Sequence, residues 1–300
     1  VLGGGLAALG ATLILPSITL AIPDTTLIRA ISFDGDTVVA VTDQELLRIS
    51  TAGKVERVPH ALSVTALSNH PARSGTFLAA LKDGGLRRSL DGGRTWSNVG
   101  FGLPANQITA LTIAALDANL IYAALAEDGI WRSKDTGDTW EFVMDRPYPD
   151  GSEHDVLSLV SVGNPSGMGG IWLYAGTQVG LTRVPDCFCR WQDVTAGDAM
   201  DALAAGETLP PPKPLPAGEA IVALALAPDA PKRIYAGLMS GLWVSTDAGV
   251  NWSLVSSGAI SALAVNPSDP LHLAAVRDGG LSISRDGGTT WTSTTNFKEI

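Results

Sequence analysis

The chain has 300 residues, with 20 Lys or Arg against 30 Asp or Glu, a net charge of −10. An acidic chain without a basic block excludes nucleic acid as a partner, because phosphates need Lys and Arg. Two cysteines exclude a disulfide-stapled mini-fold and a four-cysteine zinc site, and four scattered histidines (His60, His70, His154, His272) leave little for metal or Ser-His-Asp chemistry, so no metal and no cofactor are expected.

Residues 1–22 (VLGGGLAALGATLILPSITLAI) carry no charge. As a helix they would span about 33 Å, at about 1.5 Å per residue, enough for a bilayer core. The favoured reading is one retained transmembrane helix, single-pass in a cytoplasmic membrane. A cleaved signal peptide and a buried core segment are the rivals. Pro16 would kink such a helix and Gly3, Gly4 and Gly5 would weaken its first turn. Small residues at four-residue spacing (Gly3, Ala7 and Ala11) would let another membrane helix approach closely.

Residues 23–300 read as one repeated design. The first unit has four short apolar runs, at 28–32, 38–41, 46–49 and 54–58. Later units each start with an apolar run (64–67, 108–111, 156–159, 221–224, 260–263) and continue with a second (77–81, 121–125, 173–176, 234–238, 271–276). A twelve-residue box then follows: GLRRSLDGGRTW at 85–96, GIWRSKDTGDTW at 129–140, GLWVSTDAGVNW at 241–252 and GLSISRDGGTTW at 280–291. A decayed copy, GLTRVPDCFCRW at 180–191, keeps the register and loses the inner Gly and Thr. After the box tryptophan comes a fourth extended run, as at 140–143 and 291–295. Short strands bounded by Gly, Asp, Asn and Pro, recurring at blade-like spacing, predict an all-β, six-bladed β-propeller of four-stranded blades. The last unit has its own fourth strand, so closure need not borrow one from the N-terminus.

The box chemistry is structural. Asp91, Asp135, Asp186, Asp247 and Asp286 are placed to accept backbone N–H groups in a tight turn. Gly93, Gly137, Gly249 and Gly288 supply positive φ there. Trp96, Trp140, Trp191, Trp252 and Trp291 offer large apolar area to pin the hairpin. Calcium is not expected, since one carboxylate per turn is far from roughly six to eight oxygens.

Ser-x-Asp-x-Gly-x-Thr-Trp resembles the Asp-box, or bacterial neuraminidase repeat, in four good copies, with Val250-Asn251 departing from the usual x-Thr. The blade style is also similar to the photosystem II assembly and stability factor family and to sortilin-type and xyloglucanase-type propellers. Sialidase resemblance would imply an arginine cluster, a Tyr nucleophile with a Glu partner and a separate Asp. Tyr122, Tyr174 and Tyr235 fall in one column of the second strand and read as packing residues. Tyr148 lies in a loop without a matching Glu or Arg set. Arg29 is the only arginine on a predicted innermost strand, placed to line or plug the channel. Xyloglucanases use two propellers, and this chain has one. No catalytic residue is therefore assigned, and fold alone would not establish activity.

Two insertions stand out, 145–155 (DRPYPDGSEHD) and 195–220. The first groups Asp145, Asp150, Glu153, His154 and Asp155, read as a solvated charged loop. The second contains a stiff proline arm around Pro211, Pro212, Lys213 and Pro214. Both are expected on the face opposite the boxes, turned to the membrane by a tether of about five residues reaching roughly 17 Å. Tyr148 and the proline arm are then partner-binding residues, and a crosslinker at Lys213 should capture a neighbour while one at Lys134 should not. Cys187 and Cys189 sit at the tip of the decayed box, as a disulfide or as inert thiols. The sequence thus points to a non-enzymatic membrane-anchored scaffold or accessory subunit, its propeller on the extracytoplasmic, periplasmic side. Its expected partners are integral membrane protein subunits, possible homes being photosynthetic or respiratory electron-transfer complexes. The alternatives are a sialidase-like glycan hydrolase and a carbohydrate- or peptide-binding receptor domain.

Overall fold

The computed structural model describes residues 27–60, 62–70, 73–164, 166, 170–194, 211–293 and 298–299. The strands form six sheets, each an antiparallel meander in chain order. Blade one is β1 (Ala30–Asp34), β2 (Thr37–Val41), β3 (Glu45–Ile49) and β4 (Lys54–Pro59). Blade two is β5 (Val64–Asn69), β6 (Phe77–Leu81), β7 (Leu86–Ser89) and β8 (Ser97–Val99). Blade three is β9 (Ile108–Ile113), β10 (Ile121–Leu125), β11 (Gly129–Ser133) and β12 (Glu141–Asp145). Blade four is β13 (Ser158–Val162), β14 (Trp172–Gly176), β15 (Leu181–Pro185) and β16 (Gln192–Asp193). Blade five is β17 (Ala223–Ala225), β18 (Ile234–Gly237), β19 (Gly241–Ser245) and β20 (Ser253–Ser257). Blade six is β21 (Ile260–Asn266), β22 (Asp269–Arg277), β23 (Gly280–Ser284) and β24 (Thr292–Ser293).

The innermost strands β1, β5, β9, β13, β17 and β21 touch in sequence, and β21 returns to β1. A radial ring follows, and it explains the strand sequences. Second strands are sandwiched between neighbouring blades, so β10 and β14 are buried at every position and read as continuous apolar runs (IYAAL, WLYAG). Fourth strands sit on the rim, so β12 and β20 are exposed at both ends (EFVMD, SLVSS). The core is split into six apolar clusters, each filling the gap between two adjacent blades. One of them joins Phe33, Leu47 and Ile49 of blade one to Ala274, Val276 and Leu281 of blade six, which seals the circle.

Hydroxyls near the axis stitch the blades together. The Thr65 Oγ1–H donates to the Ile108 carbonyl at 3.0 Å, Thr109 to Val156 at 2.6 Å and Ser158 to Ile221 at 2.8 Å. The accepting carbonyls lie on the next inner strand or just before it.

Blade six takes all four strands from its own segment, as expected, while several boundaries differ from the sequence reading. The first strand of blade four starts at Ser158 rather than 156. In blade six the first and second strands run beyond the apolar runs 260–263 and 271–276 and meet at a two-residue turn, with Asn266 paired to Asp269. A further strand, β25 (Lys298–Glu299), pairs parallel with β4 on the outer edge of blade one through Lys298 and Lys54. Blade one is therefore five-stranded.

The proposed anchor, with Gly3, Ala7 and Ala11, and residues 195–210 of the second insertion lie outside the described residues. Among the described residues no helix is long and apolar enough to cross a membrane. The proline arm is not confined to the face opposite the boxes. The Lys213 N–H donates to Asn251 Oδ1 at 2.9 Å, and its carbonyl accepts the Trp252 N–H at 2.8 Å. The cause is topological: a chain leaving a strongly twisted outer strand meets the next blade's box before descending to its inner strand. The blade two to three connection does the same, with the Trp140 N–H donating to the Phe101 carbonyl at 3.1 Å. Lys213 is therefore beside a box, as Lys134 is, and crosslinkers at the two positions do not distinguish the faces.

Candidate functional site: box hairpins and the cleft on blade four

Each intact box is a closed hydrogen-bond circuit. In blade three the Ser133 hydroxyl donates to Asp135 Oδ1 at 2.8 Å and accepts the Gly137 N–H at 2.8 Å. Asp135 accepts the Thr139 N–H at 2.8 Å and the Thr139 hydroxyl at 2.5 Å. The same set recurs around Asp91, Asp247 and Asp286. In blade five Asn251 replaces Thr, and its amide donates to Asp247 Oδ2 at 2.7 Å, so the sequence departure preserves the donor. Hydrogen bonds to the charged form lower a carboxyl pKa. The Thr95 hydroxyl and N–H push Asp91 down to about 2, and the Thr290 hydroxyl and N–H do the same to Asp286, also to about 2. Burial opposes the shift at Asp135 and Asp247, but the Thr139 and Asn251 donors outweigh it and both carboxyls stay below the usual range.

The tryptophans complete the hairpins unequally. Trp140, Trp191 and Trp252 are buried, at 8%, 8% and 4% exposure, whereas Trp96 and Trp291 are half-buried. The indole N–H of Trp96, Trp140 and Trp252 donates to the carbonyl of the box glycine three residues earlier, at 2.9, 3.0 and 2.8 Å. Trp291 turns to the Ser256 hydroxyl instead, at 3.2 Å. These glycines are required: Gly288 has φ +92°, and a Cβ there would lie 2.2 Å from Leu242 Cδ2.

Blade four departs from this scheme. Val184 stands where the box serine belongs, and the Asp186 N–H pairs with the Ile171 carbonyl rather than closing the circuit. The Trp191 indole N–H reaches back to the Asp145 carbonyl at 2.8 Å. A disulfide joins Cys187 to Cys189 across a single residue, Phe188. Phe188 adopts φ +51° and packs its ring 5.8 Å from Tyr122, with Arg132 5.6 Å above it. Closing so small a loop restricts the unfolded chain weakly, by about 1.6 kcal/mol against about 3 for a 15-residue loop.

Beside this altered hairpin lies a cleft of about 480 Å³, lined by Tyr148, Pro149, Val179, Leu181, Arg190 and Trp191 among others. Tyr148 and Val179 are 51% and 40% exposed on its rim, although both are large and apolar. The first insertion forms its wall and is internally braced. Arg146 binds Glu153 at 2.5 Å and Asp155 at 3.2 Å, and His154 Nε2 meets Asp150 Oδ1 at 2.9 Å, which holds the Asp150 carboxyl below its ordinary range. Asp155 also accepts the Glu127 N–H at 2.9 Å, tying the loop to blade three. Loop and cleft are thus rigidly joined. Pro211, Pro212, Lys213 and Pro214 are exposed on the next blade junction and do not line the cleft.

The axial channel is narrow. A cavity of about 150 Å³ touches all six inner strands, and a wider mouth of about 400 Å³ is lined by Arg29, Lys82, Gln107 and Leu157. Arg29 sits at that mouth in a two-pronged ion pair with Asp43, at 3.0 and 2.7 Å, which raises the guanidinium pKa and lowers the carboxyl's.

Two features escaped the sequence reading. The column tyrosines pack, as their burial implies, but Tyr174 and Tyr235 also donate to carbonyls of the following blade, Ala248 at 2.8 Å and Pro270 at 3.0 Å. Arg183, 5% exposed, stacks 4.1 Å over Trp172 inside blade four. Its only sequence signal is an arginine in an otherwise apolar strand.

The architecture defines the class: a six-bladed β-propeller with intact box hairpins on four blades and an altered one on blade four. No family model matches the chain, and no curated relative matches it. Solved structures share the fold. They include the GH74 xyloglucanase from Xanthomonas campestris, at 18% identity and TM-score 0.54 over 87% of this chain and 45% of that one. Another is YCF48 bound to D1 peptide, at 17% identity and TM-score 0.52 over 95% and 88%. A COPII outer-coat vertex on membranes aligns at 9% identity and TM-score 0.59 over 89% and 74%. The chain spans about half the length of the GH74 enzymes it resembles, 45% and 47% in two cases.

Proposed function

We propose that the chain is a non-enzymatic protein-docking propeller, an accessory or scaffold subunit of a membrane protein complex. In this reading the box hairpins are Asp-boxes with a purely structural role. Residues 1–22 tether the ring to a cytoplasmic membrane, with the propeller on the extracytoplasmic side, and photosynthetic or respiratory electron-transfer complexes are the first partners to test. The observation that carries the reading is the cleft on blade four. Exposed Tyr148 and Val179 flank it and Arg190 supplies a charge, which is the make-up of a protein contact. The nearby carboxylates are engaged by Arg146 and His154 rather than poised as an acid/base pair. The solved YCF48 propeller holds a D1 peptide and matches this chain over nearly the same length, which supports a docking role. Affinity capture from solubilised membranes tests it: Tyr148→Ala should reduce recovery of an integral membrane subunit at least tenfold. The likeness to GH74 enzymes supports hydrolysis as the alternative, and turnover of a β-glucan by the purified chain would establish that instead.

A further inference from the structure

We propose that the Cys187–Cys189 disulfide is a thiol–disulfide exchange site, open to a dithiol reductant of the thioredoxin type while the propeller stays folded. Both cysteines are exposed, at the tip of a hairpin that projects from the ring, so a protein thiol can reach either sulfur. They are the chain's two cysteines, so no competing thiol can reshuffle the pair.

The bond is poorly explained as a staple. It closes a loop over one residue and so restricts the unfolded chain little. The other boxes hold the same turn with Ser, Asp and Thr side chains and no sulfur. Blade four has given up that circuit, with Val184 at the serine position, and holds its tip by the disulfide and by Phe188. What remains of the turn is one backbone bond, Phe188 N–H to the Pro185 carbonyl at 2.8 Å. Phe188, at φ +51°, is a non-glycine residue in the left-handed region, as Thr136 and Ala248 are in the intact boxes. Opening the ring of atoms through both sulfurs frees the exposed tip, and the hairpin can relax without disturbing the buried blade interfaces. Exposed disulfides are among the labile ones.

The exchange balances as a two-electron, two-proton transfer. One thiolate of the reductant attacks one sulfur, the Cys187–Cys189 bond breaks, and the other sulfur leaves as a thiolate that takes a proton from water. The reductant's second thiol loses its proton and attacks the mixed disulfide, expelling the remaining cysteine as a thiolate, which is then protonated. The protein ends with two thiols and the reductant with a disulfide. Arg190 and Trp191 follow directly and line the cleft, so the redox state of the tip acts on that wall. The exchange itself stands whether or not the cleft docks a partner.

The test uses the oxidised full chain with bacterial thioredoxin whose resolving cysteine is serine. The native protein should become covalently joined to it, one to one, with unchanged β-sheet circular dichroism. Complete thioredoxin with its reductase should expose two alkylatable thiols per chain. Cys187→Ser/Cys189→Ser should form no adduct and melt within a few degrees of wild type. A disulfide that yields only after denaturant is added would overturn the proposal. So would reduction, or the double serine variant, unfolding the ring, since either would make the bond a structural staple.

Discussion

Trp140→Ala measures what a box contributes. The side chain is 8% exposed and packs with Leu78, Ile121 and Leu125 in the cluster between blades two and three. A tryptophan removes roughly 150–250 Å² from water, worth about 4–6 kcal/mol at about 25 cal/mol per Å². The alanine also leaves the Gly137 carbonyl without the indole N–H that now lies 3.0 Å away, while partial collapse of the site recovers some of the loss. The expected destabilisation is about 4 kcal/mol, inside the range of about 3–5 for buried aromatics. Trp140→Phe keeps much of the ring and loses the donor, so about 1–2 kcal/mol is expected. Trp252→Ala should match or exceed Trp140→Ala, and Trp96→Ala, half-buried, should fall clearly below both. Urea unfolding followed by tryptophan fluorescence and by circular dichroism gives these values at constant slope. A loss under about 1 kcal/mol for Trp140→Ala, or equal losses at positions 140 and 96, would refute the pinning argument.

Further outcomes follow from the same geometry. Asp91 and Asp286 have folded-state carboxyls at about 2, below their unfolded value, so their contribution is complete above about pH 4 and is lost as the pH falls towards 2; the melting temperature should be flat above that window and drop within it, and Asp91→Asn/Asp286→Asn should flatten the drop. Gly288→Ala forces a Cβ to 2.2 Å from Leu242 at φ +92° and should destabilise by about 2–5 kcal/mol in urea titrations. Deleting residues 298–300 removes the parallel pairing of β25 with β4 and should lower stability by about 1–2 kcal/mol, with the six-bladed ring still formed by circular dichroism.

The repeat made the fold legible. The twelve-residue boxes fix where the third and fourth strands meet, and the apolar second strands are unmistakable because both their faces are buried, as in IYAAL and FLAAL. Inner strands were less legible: they carry small residues against the channel, so β17 keeps only Ala223–Ala225 where a longer run was expected. The pairing of Lys298–Glu299 with β4 was invisible because a two-residue parallel pairing has no periodicity to read. Tyr148 stood out in the sequence as an aromatic in a charged loop, yet the partners that make its cleft, Val179 and Arg190, come from β14–β15 and the decayed box. Lys213 was misplaced for a related reason: counting loops by face ignores the twist that carries an outer strand to its neighbour's box.

The central claim, a docking cleft on blade four, is tested most directly by quantitative capture from detergent-solubilised membranes with the full chain as bait. The account predicts an integral membrane subunit retained by wild type and by Lys213→Ala, and lost at least tenfold with Tyr148→Ala or Arg190→Glu while the variants stay folded. Retention unchanged by the cleft variants, or no membrane subunit retained by wild type, would contradict it.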